Sequence, residues 1–112
     1  MSRNVGASMR KGAPVFAALG DETRLRILAK LSAGGPLSIA QITDGEIVTR
    51  QAITKHLAVL ADAGLVRDAR TGRERRWELE LAPLDTARMC LDLVSQRWDQ
   101  RLERLKDLVE ND

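Results

Sequence analysis

From Thr49 to Val66 (TRQAITKHLAVLADAGLV) the apolar residues Ile53, Leu57 and Leu60 recur at +4 and +3, with Ala52, Val59 and Ala63 beside them. That spacing puts one apolar stripe on a helix. Thr49 precedes the stripe as a capping residue, its hydroxyl suited to accept from an unpaired N–H of the first turn. Gly64 supplies the left-handed residue that ends the helix, and Leu65-Val66 begins an extended segment. Arg50, Gln51, Thr54 and Lys55 are left off the stripe, near the helix start.

Upstream the same period predicts three shorter helices. The first starts near Pro14, carries Val15, Phe16 and Leu19 on one side, and stops at Gly20. Asp21 caps the second, with Glu22 complementing the dipole of its first turn. Leu25, Ile27, Leu28 and Leu31 form its stripe, Arg24, Arg26 and Lys30 ride outside, and Gly34-Gly35-Pro36 ends it. Ser38-Ile39-Ala40-Gln41 has the form of a capping box and opens a third helix, which packs Ile39, Ala40 and Ile42. Thr43-Asp44-Gly45 breaks it, and residues 43–48 make the turn into the helix capped by Thr49. Two short capped helices joined by a Gly-containing turn form a helix-turn-helix.

Past Gly64 the period shortens towards two. Leu65 and Val66 start a strand, Thr71-Gly72 is a hairpin turn, and Trp77, Leu79 and Leu81 alternate with Arg76, Glu78 and Glu80. Pro83 opens the last helix, from about Leu84 to about Glu110, with apolar residues at 84, 87, 91, 94, 98, 102, 105 and 109. Such a helix is about 40 Å long, more apolar stripe than the rest of so small a domain covers. The economical partner is the same helix of a second copy, in a two-fold dimer. Phe16, Leu84, Leu91, Val94, Trp98, Leu102 and Leu105 are the candidate dimer contacts. The other arrangement is a helix folded back wholly onto its own domain.

The expected fold is mainly α with a β-hairpin wing: a winged helix-turn-helix domain over 14–82, followed by a dimerisation helix over 83–112. Residues 1–13 (MSRNVGASMRKGA) show no period and read as a flexible basic tail, or as a basic arm lying on phosphates or in a minor groove.

Composition narrows the function. The 112 residues hold 3% aromatics, so the core is mainly Leu, Ile, Val and Ala. The formal net charge of +2 is uneven: +3 over 1–14, −1 over 15–48, +2 over 49–80 and −2 over 81–112. A polyanion therefore belongs at the middle and N-terminal parts of the chain. A single Cys90 excludes an internal disulfide and fits a reducing cytoplasm. There is neither an apolar run of membrane-spanning length nor a secretory h-region, and a soluble cytoplasmic protein is expected.

Cations, amides and hydroxyls at the start of a short helix suit the major groove of double-stranded DNA. Arg bonds guanine bidentately, Gln bonds adenine, and Thr and Lys reach phosphates or base edges. Base contacts are assigned to Arg50, Gln51 and Thr54, and phosphate contacts to Thr49, Lys55 and the wing arginines. The hairpin carries Arg67, Arg70, Arg73, Arg75 and Arg76 against Asp68 and Glu74. Any exposed hairpin needs charge to protect its edges, but its place directly behind the helix favours a wing on an adjacent phosphate backbone, with Arg70, Arg73, Arg75 and Arg76 as its contacts.

The runs FAALGDETRLRILAKL, TRQAITKHLAVLADAGLV and RDARTGRERRWEL resemble the ArsR-type (arsenical-repressor-like) winged-helix regulators over residues 15–81 and, more loosely, the last helix. The resemblance implies dimeric repressors that leave their operators when an inducer binds. It also places His56 in the pattern T-K-H-L, as helix packing or a phosphate contact. Trp98 within S-Q-R-W-D-x-R-L-x-x-L-K looks most like a branch lacking the well-known metal sites and often autoregulatory. Metal-sensing members carry Cys on the first helix of the motif, or His and Asp pairs on the last. Here Ser38–Thr43 has no Cys and the last helix no His. One Cys and one His cannot supply a tetrahedral thiolate site. No metal or cofactor is expected, and the sequence leaves the inducer unknown. No nucleophile–base pair or glycine-rich phosphate loop suggests an enzyme. The competing reading is a winged-helix module that binds protein through the same surface.

Overall fold

Local chemistry sets the helix ends. In the computed structural model, which describes residues 2–111 and side chains from Val5 onward, the chain forms α1 (Ser2–Leu19), α2 (Glu22–Gly34), α3 (Ile39–Thr43) and α4 (Arg50–Asp62). Strands β1 (Val66–Asp68) and β2 (Trp77–Leu79) follow, then α5 (Ala82–Glu110). The Asp21 carboxylate accepts from the Arg24 N–H at 3.0 Å. The Ser38 hydroxyl accepts from Gln41 N–H at 3.2 Å while the Gln41 side chain accepts from Ser38 N–H at 2.9 Å, closing the capping box. Thr49 Oγ1 accepts from Ala52 N–H at 3.1 Å. At the far end of α4, Gly64 has φ +74, Leu65 N–H donates to Leu60 C=O and Gly64 N–H to Ala61 C=O, both at 2.9 Å. This paired closure satisfies the last carbonyls and needs a left-handed residue between them.

Ile27, Ile42, Ile53, Leu57, Leu60 and Leu65 are fully buried at the junction of α2, α3, α4 and β1, with Leu28, Leu31, Val66 and Trp77 around them. Strands β1 and β2 pair antiparallel, Val66 opposite Leu79 and Asp68 opposite Trp77. The outer edge of β2 is covered as well: Leu37 and Trp77 exchange both backbone hydrogen bonds, at 2.8 and 2.9 Å. The hairpin is thereby fastened to the loop between α2 and α3. Leu81, expected in the apolar alternation of the hairpin, is instead exposed and caps α5.

The largest departure from the sequence reading lies at the N-terminus. Residues 2–13, expected as a flexible tail, continue the first helix, with Pro14 inside it. Met1, Asp112 and the side chain of Arg3 in the expected basic arm lie outside the described residues. The helix is held by α5: Gly12 is buried, and a Cβ on it would collide with Cys90 Sγ. The Cys90 thiol donates to the Ser8 carbonyl at 3.0 Å. Ser8, Gly12, Val15 and Ala18 face inward at helical spacing, so the stripe is made of small residues that let two helices approach closely. A count of large apolar residues misses such a stripe, and Gly and Pro read as breakers.

Two other expectations change. Leu25, placed in the apolar stripe of α2, is half exposed, whereas Arg24 is partly buried and donates to the carbonyl of Ala18 at 2.6 Å. On α5 the expected single stripe divides. Leu84 packs against the domain's own core, with Ala87 buried, so Leu84 does not belong with the exposed set. Leu91, Val94, Trp98, Leu102 and Leu105 remain exposed, and Phe16 on α1 is at the edge of exposure. With a long axis of 69 Å, the molecule is drawn out along the 29-residue α5.

The packing of α1 predicts opposite effects at two glycines. Gly12→Val should lower stability by about 1–3 kcal/mol through overpacking against Cys90. Gly6→Ala, whose new Cβ meets only Arg10 at 3.5 Å, should raise stability by about 0.5–1 kcal/mol through helix propensity. Urea titrations followed by circular dichroism check both; insensitivity at both sites is what a disordered tail would give.

Candidate nucleic-acid interface

Helix α4 turns Ile53, Leu57 and Leu60 to the core and leaves Arg50, Gln51, Thr54 and Lys55 on the outside of its first two turns. Thr49, exposed at the cap, uses a lone pair on Ala52 N–H and keeps its own proton for an acceptor such as a phosphate oxygen. Thr54 is the reverse case. Its hydroxyl donates to the Arg50 carbonyl at 2.9 Å, so outward it offers an acceptor and a methyl group. His56 faces another way: its ring is mostly covered, with Nδ1 3.2 Å from Arg24 Nη1 and 3.9 Å from the Asp21 carboxylate. It stitches α4 to the start of α2 and stands apart from the exposed quartet.

The turn before α4 is fastened by three charged residues. Glu46 has a side chain only 7% exposed and accepts from Arg26 Nε at 3.0 Å, with Lys30 Nζ also at 3.0 Å. Lys30 Nζ donates in addition to the carbonyls of Ile42 and Asp44, at 2.7 and 2.8 Å. One ammonium thus satisfies carbonyls at the end of α3 and holds the carboxylate that fixes the following loop. The Lys30 and Arg26 hydrogen bonds keep the Glu46 carboxyl below its ordinary pKa, and Glu46 raises that of Arg26. At the other end of α2, the Arg24 N–H holds Asp21 below the usual carboxylate value. Arg26 and Lys30, expected as a solvated outer face, are therefore structural. Lys30 and Glu46 sit sixteen positions apart, so no periodicity joins them; the turn holds two acids, Asp44 and Glu46, and nothing in the sequence singles out Glu46 as the clamped one.

Within the hairpin the arginines separate into two groups. Arg75 lies over the Trp77 ring, 4.6 Å from its centroid, and pairs with Asp68 at 2.9 Å. Arg76 pairs with Glu74 at 2.9 Å, and Arg67 with Glu78 and Glu80. Among the described residues, Arg70 and Arg73 make no ion pair, and they flank Gly72 (φ +64) in the exposed turn. The tip therefore offers unengaged charge, and the base is knitted by its own ion pairs, those of Arg67 and Arg75 running across the strands. Among the described residues no group of three or more His, Cys, Asp or Glu is arranged to hold a metal ion.

Comparison with known proteins gives this geometry a family. The helix-turn-helix domain family matches residues 19–69. An uncharacterized HTH-type transcriptional regulator of Bacillus subtilis, YuzN, is 48% identical over 67 residues, which cover 54% of this chain and 73% of the relative. The arsenical resistance operon repressor of Escherichia coli is 30% identical over 98 residues, 87% of this chain and 80% of that protein. The structure of an ArsR-like transcriptional regulator from Rhodococcus sp. RHA1 superposes with a TM-score of 0.78 at 37% identity, covering 91% of this chain and 95% of that one. The chain belongs to the ArsR-type family of winged helix-turn-helix transcriptional regulators. As an ArsR-type protein it is a DNA-binding regulator and not an enzyme.

For this ArsR-type chain, the clamp on the turn makes a pH-dependent prediction. A carboxyl held below its ordinary value of 4.5 contributes stability that is present above that value and lost as the pH falls through the lowered one. Glu46→Gln should cost about 1–2 kcal/mol at pH 7, and its deficit should shrink between about pH 5 and pH 3. Denaturant midpoints across that range check this; a deficit independent of pH contradicts the clamp.

Proposed function

We propose that this chain is a homodimeric repressor that binds a palindromic operator, working in the cytoplasm where the DNA is. The observation that carries the reading is the exposed start of α4. Four side chains able to read base edges or bind phosphates stand on the open face of a helix whose other face is fully buried. Arg50 and Gln51 make base contacts, Thr54 adds an acceptor and methyl contact, and Thr49 and Lys55 hold phosphates. Arg70 and Arg73 at the wing tip carry the flanking backbone contacts that the sequence reading shared among four arginines. Repression is supported by the name of the Escherichia coli relative, an operon repressor.

Dimerisation is supported by the stripe of Leu91, Val94, Trp98, Leu102 and Leu105, all about half exposed along α5. Isolated apolar residues on a surface are ordinary, but five in helical register form a patch of the kind that marks an interface. A two-fold pairing sets two copies of α4 on successive turns of one DNA face. In this arrangement residues 83–112, together with α1, form the dimerisation unit, and the helix-turn-helix with its hairpin forms the DNA-binding unit.

Fluorescence anisotropy on the upstream DNA of its own gene beside a scrambled duplex, over a salt series, tests the reading. A preference of about 10³ or more with a steep salt dependence is expected. Equal weak binding to the upstream DNA, the scrambled duplex and a randomised-duplex selection would support a protein-interaction module instead. Arg50→Ala should relax sequence preference by about 1–3 kcal/mol at one base pair, whereas Arg73→Ala should weaken all duplexes evenly and lower the salt slope by about one. Val94→Glu combined with Leu102→Glu should turn a dimer into a folded monomer in sedimentation and reduce operator affinity at least about tenfold. A double variant that stays dimeric contradicts the assigned interface.

A further inference from the structure

Among the large apolar side chains of the described residues, Ile47 is the most exposed, at 102%. It stands in the turn between α3 and α4, three residues before Arg50. Neighbours on both sides fix it there. Glu46 is clamped by Arg26 and Lys30, Val48 packs against the core, and Thr49 caps α4. With the two adjoining residues held inward, the backbone has no way to fold the Ile47 side chain back without breaking the clamp or lifting Val48. This is a rigidly presented methyl-bearing group, beside the end of the helix that carries Arg50 and Gln51.

Resting on the DNA-binding reading above, we infer that Ile47 is a specificity residue that packs against the 5-methyl group of a thymine in the major groove. The chemistry of the groove favours this occupant. The major-groove edges of bases present mainly hydrogen-bonding groups, and the thymine 5-methyl is the one methyl group among them. Arg50 and Gln51 supply the polar contacts on the same end of α4, and Ile47 supplies the apolar one they lack. The contact needs no movement of the protein, because the turn is held in place before DNA arrives.

The test uses the full chain and a duplex selected by it from a randomised library. Each thymine of that duplex is replaced in turn by deoxyuracil, which removes the methyl group alone, and affinity is measured for the unmodified protein and for Ile47→Ala. Because Ile47 is fully exposed, the variant should retain its fold, checked by circular dichroism. At one thymine in each half-site, deoxyuracil should weaken the unmodified protein about three- to tenfold, and Ile47→Ala should bind the two duplexes equally. Deoxyuracil costs that match between the two proteins at every position would overturn the inference while leaving sequence-specific binding intact. So would a uniform loss in Ile47→Ala, which points to deoxyribose, or undiminished DNA binding by it, which points to a protein partner. A library that yields no preferred sequence overturns both this contact and the proposed function.

Discussion

A short helix that offers its first two turns to another macromolecule has few ways to be held, since half its circumference must stay uncovered. In this chain the burden falls on six aliphatic side chains that exclude water completely: Ile27, Ile42, Ile53, Leu57, Leu60 and Leu65. They come from α2, α3 and α4 and, for Leu65, from the closure that ends α4. Burial of that kind is not directional, so it fixes the depth of the helix better than its rotation or its entry angle. Those are set by polar devices around the rim: the Thr49 cap, the Gly64 closure, the Lys30–Glu46–Arg26 clamp and the Arg24–His56 contact. The apolar core and the polar rim have distinct tasks, and the exposed face of α4 depends on both.

The same division explains which parts of the fold can be read from the chain alone. Caps and closures are decided within four or five residues, so Asp21, Ser38, Thr49 and Gly64 stand out as sequence and act as expected in the structure. The stripe of α4 was equally legible because its residues are large. The N-terminal helix was not, because its buried face runs through Gly12 and Ala18, and a count of large apolar residues gives such positions no weight. The last helix shows a subtler limit. A period near 3.5 identifies one apolar face but does not reveal that Leu84 and Ala87 turn to their own domain while Leu91 and Val94 remain uncovered.

Charged residues are the least legible in the sequence. Sequence reasoning treats Arg26 and Lys30 as solvated and the hairpin arginines as one basic cluster. Their roles depend on partners far away along the chain or across a strand register. Pairing Asp68 opposite Trp77 brings Arg75 to both of them, leaving Arg70 and Arg73 as the unengaged cations of the tip. Composition alone cannot distinguish an arginine that staples a hairpin from one that is available to a ligand. The bias of charge towards the middle and N-terminal parts of the chain is less sensitive to such pairing, because it is a property of sums rather than of single partners.

The two tryptophans occupy opposite situations, Trp77 at 6% exposure beneath the hairpin and Trp98 at 56% on the outer face of α5. The chain contains no tyrosine, so its near-ultraviolet emission comes almost entirely from these two indoles. One is shielded from water and covered by a guanidinium; the other lies open and within 5.9 Å of Arg101. The molecule therefore carries two built-in optical probes with separable colours. The blue component follows the integrity of the wing, and the red component follows whatever comes to cover the long helix.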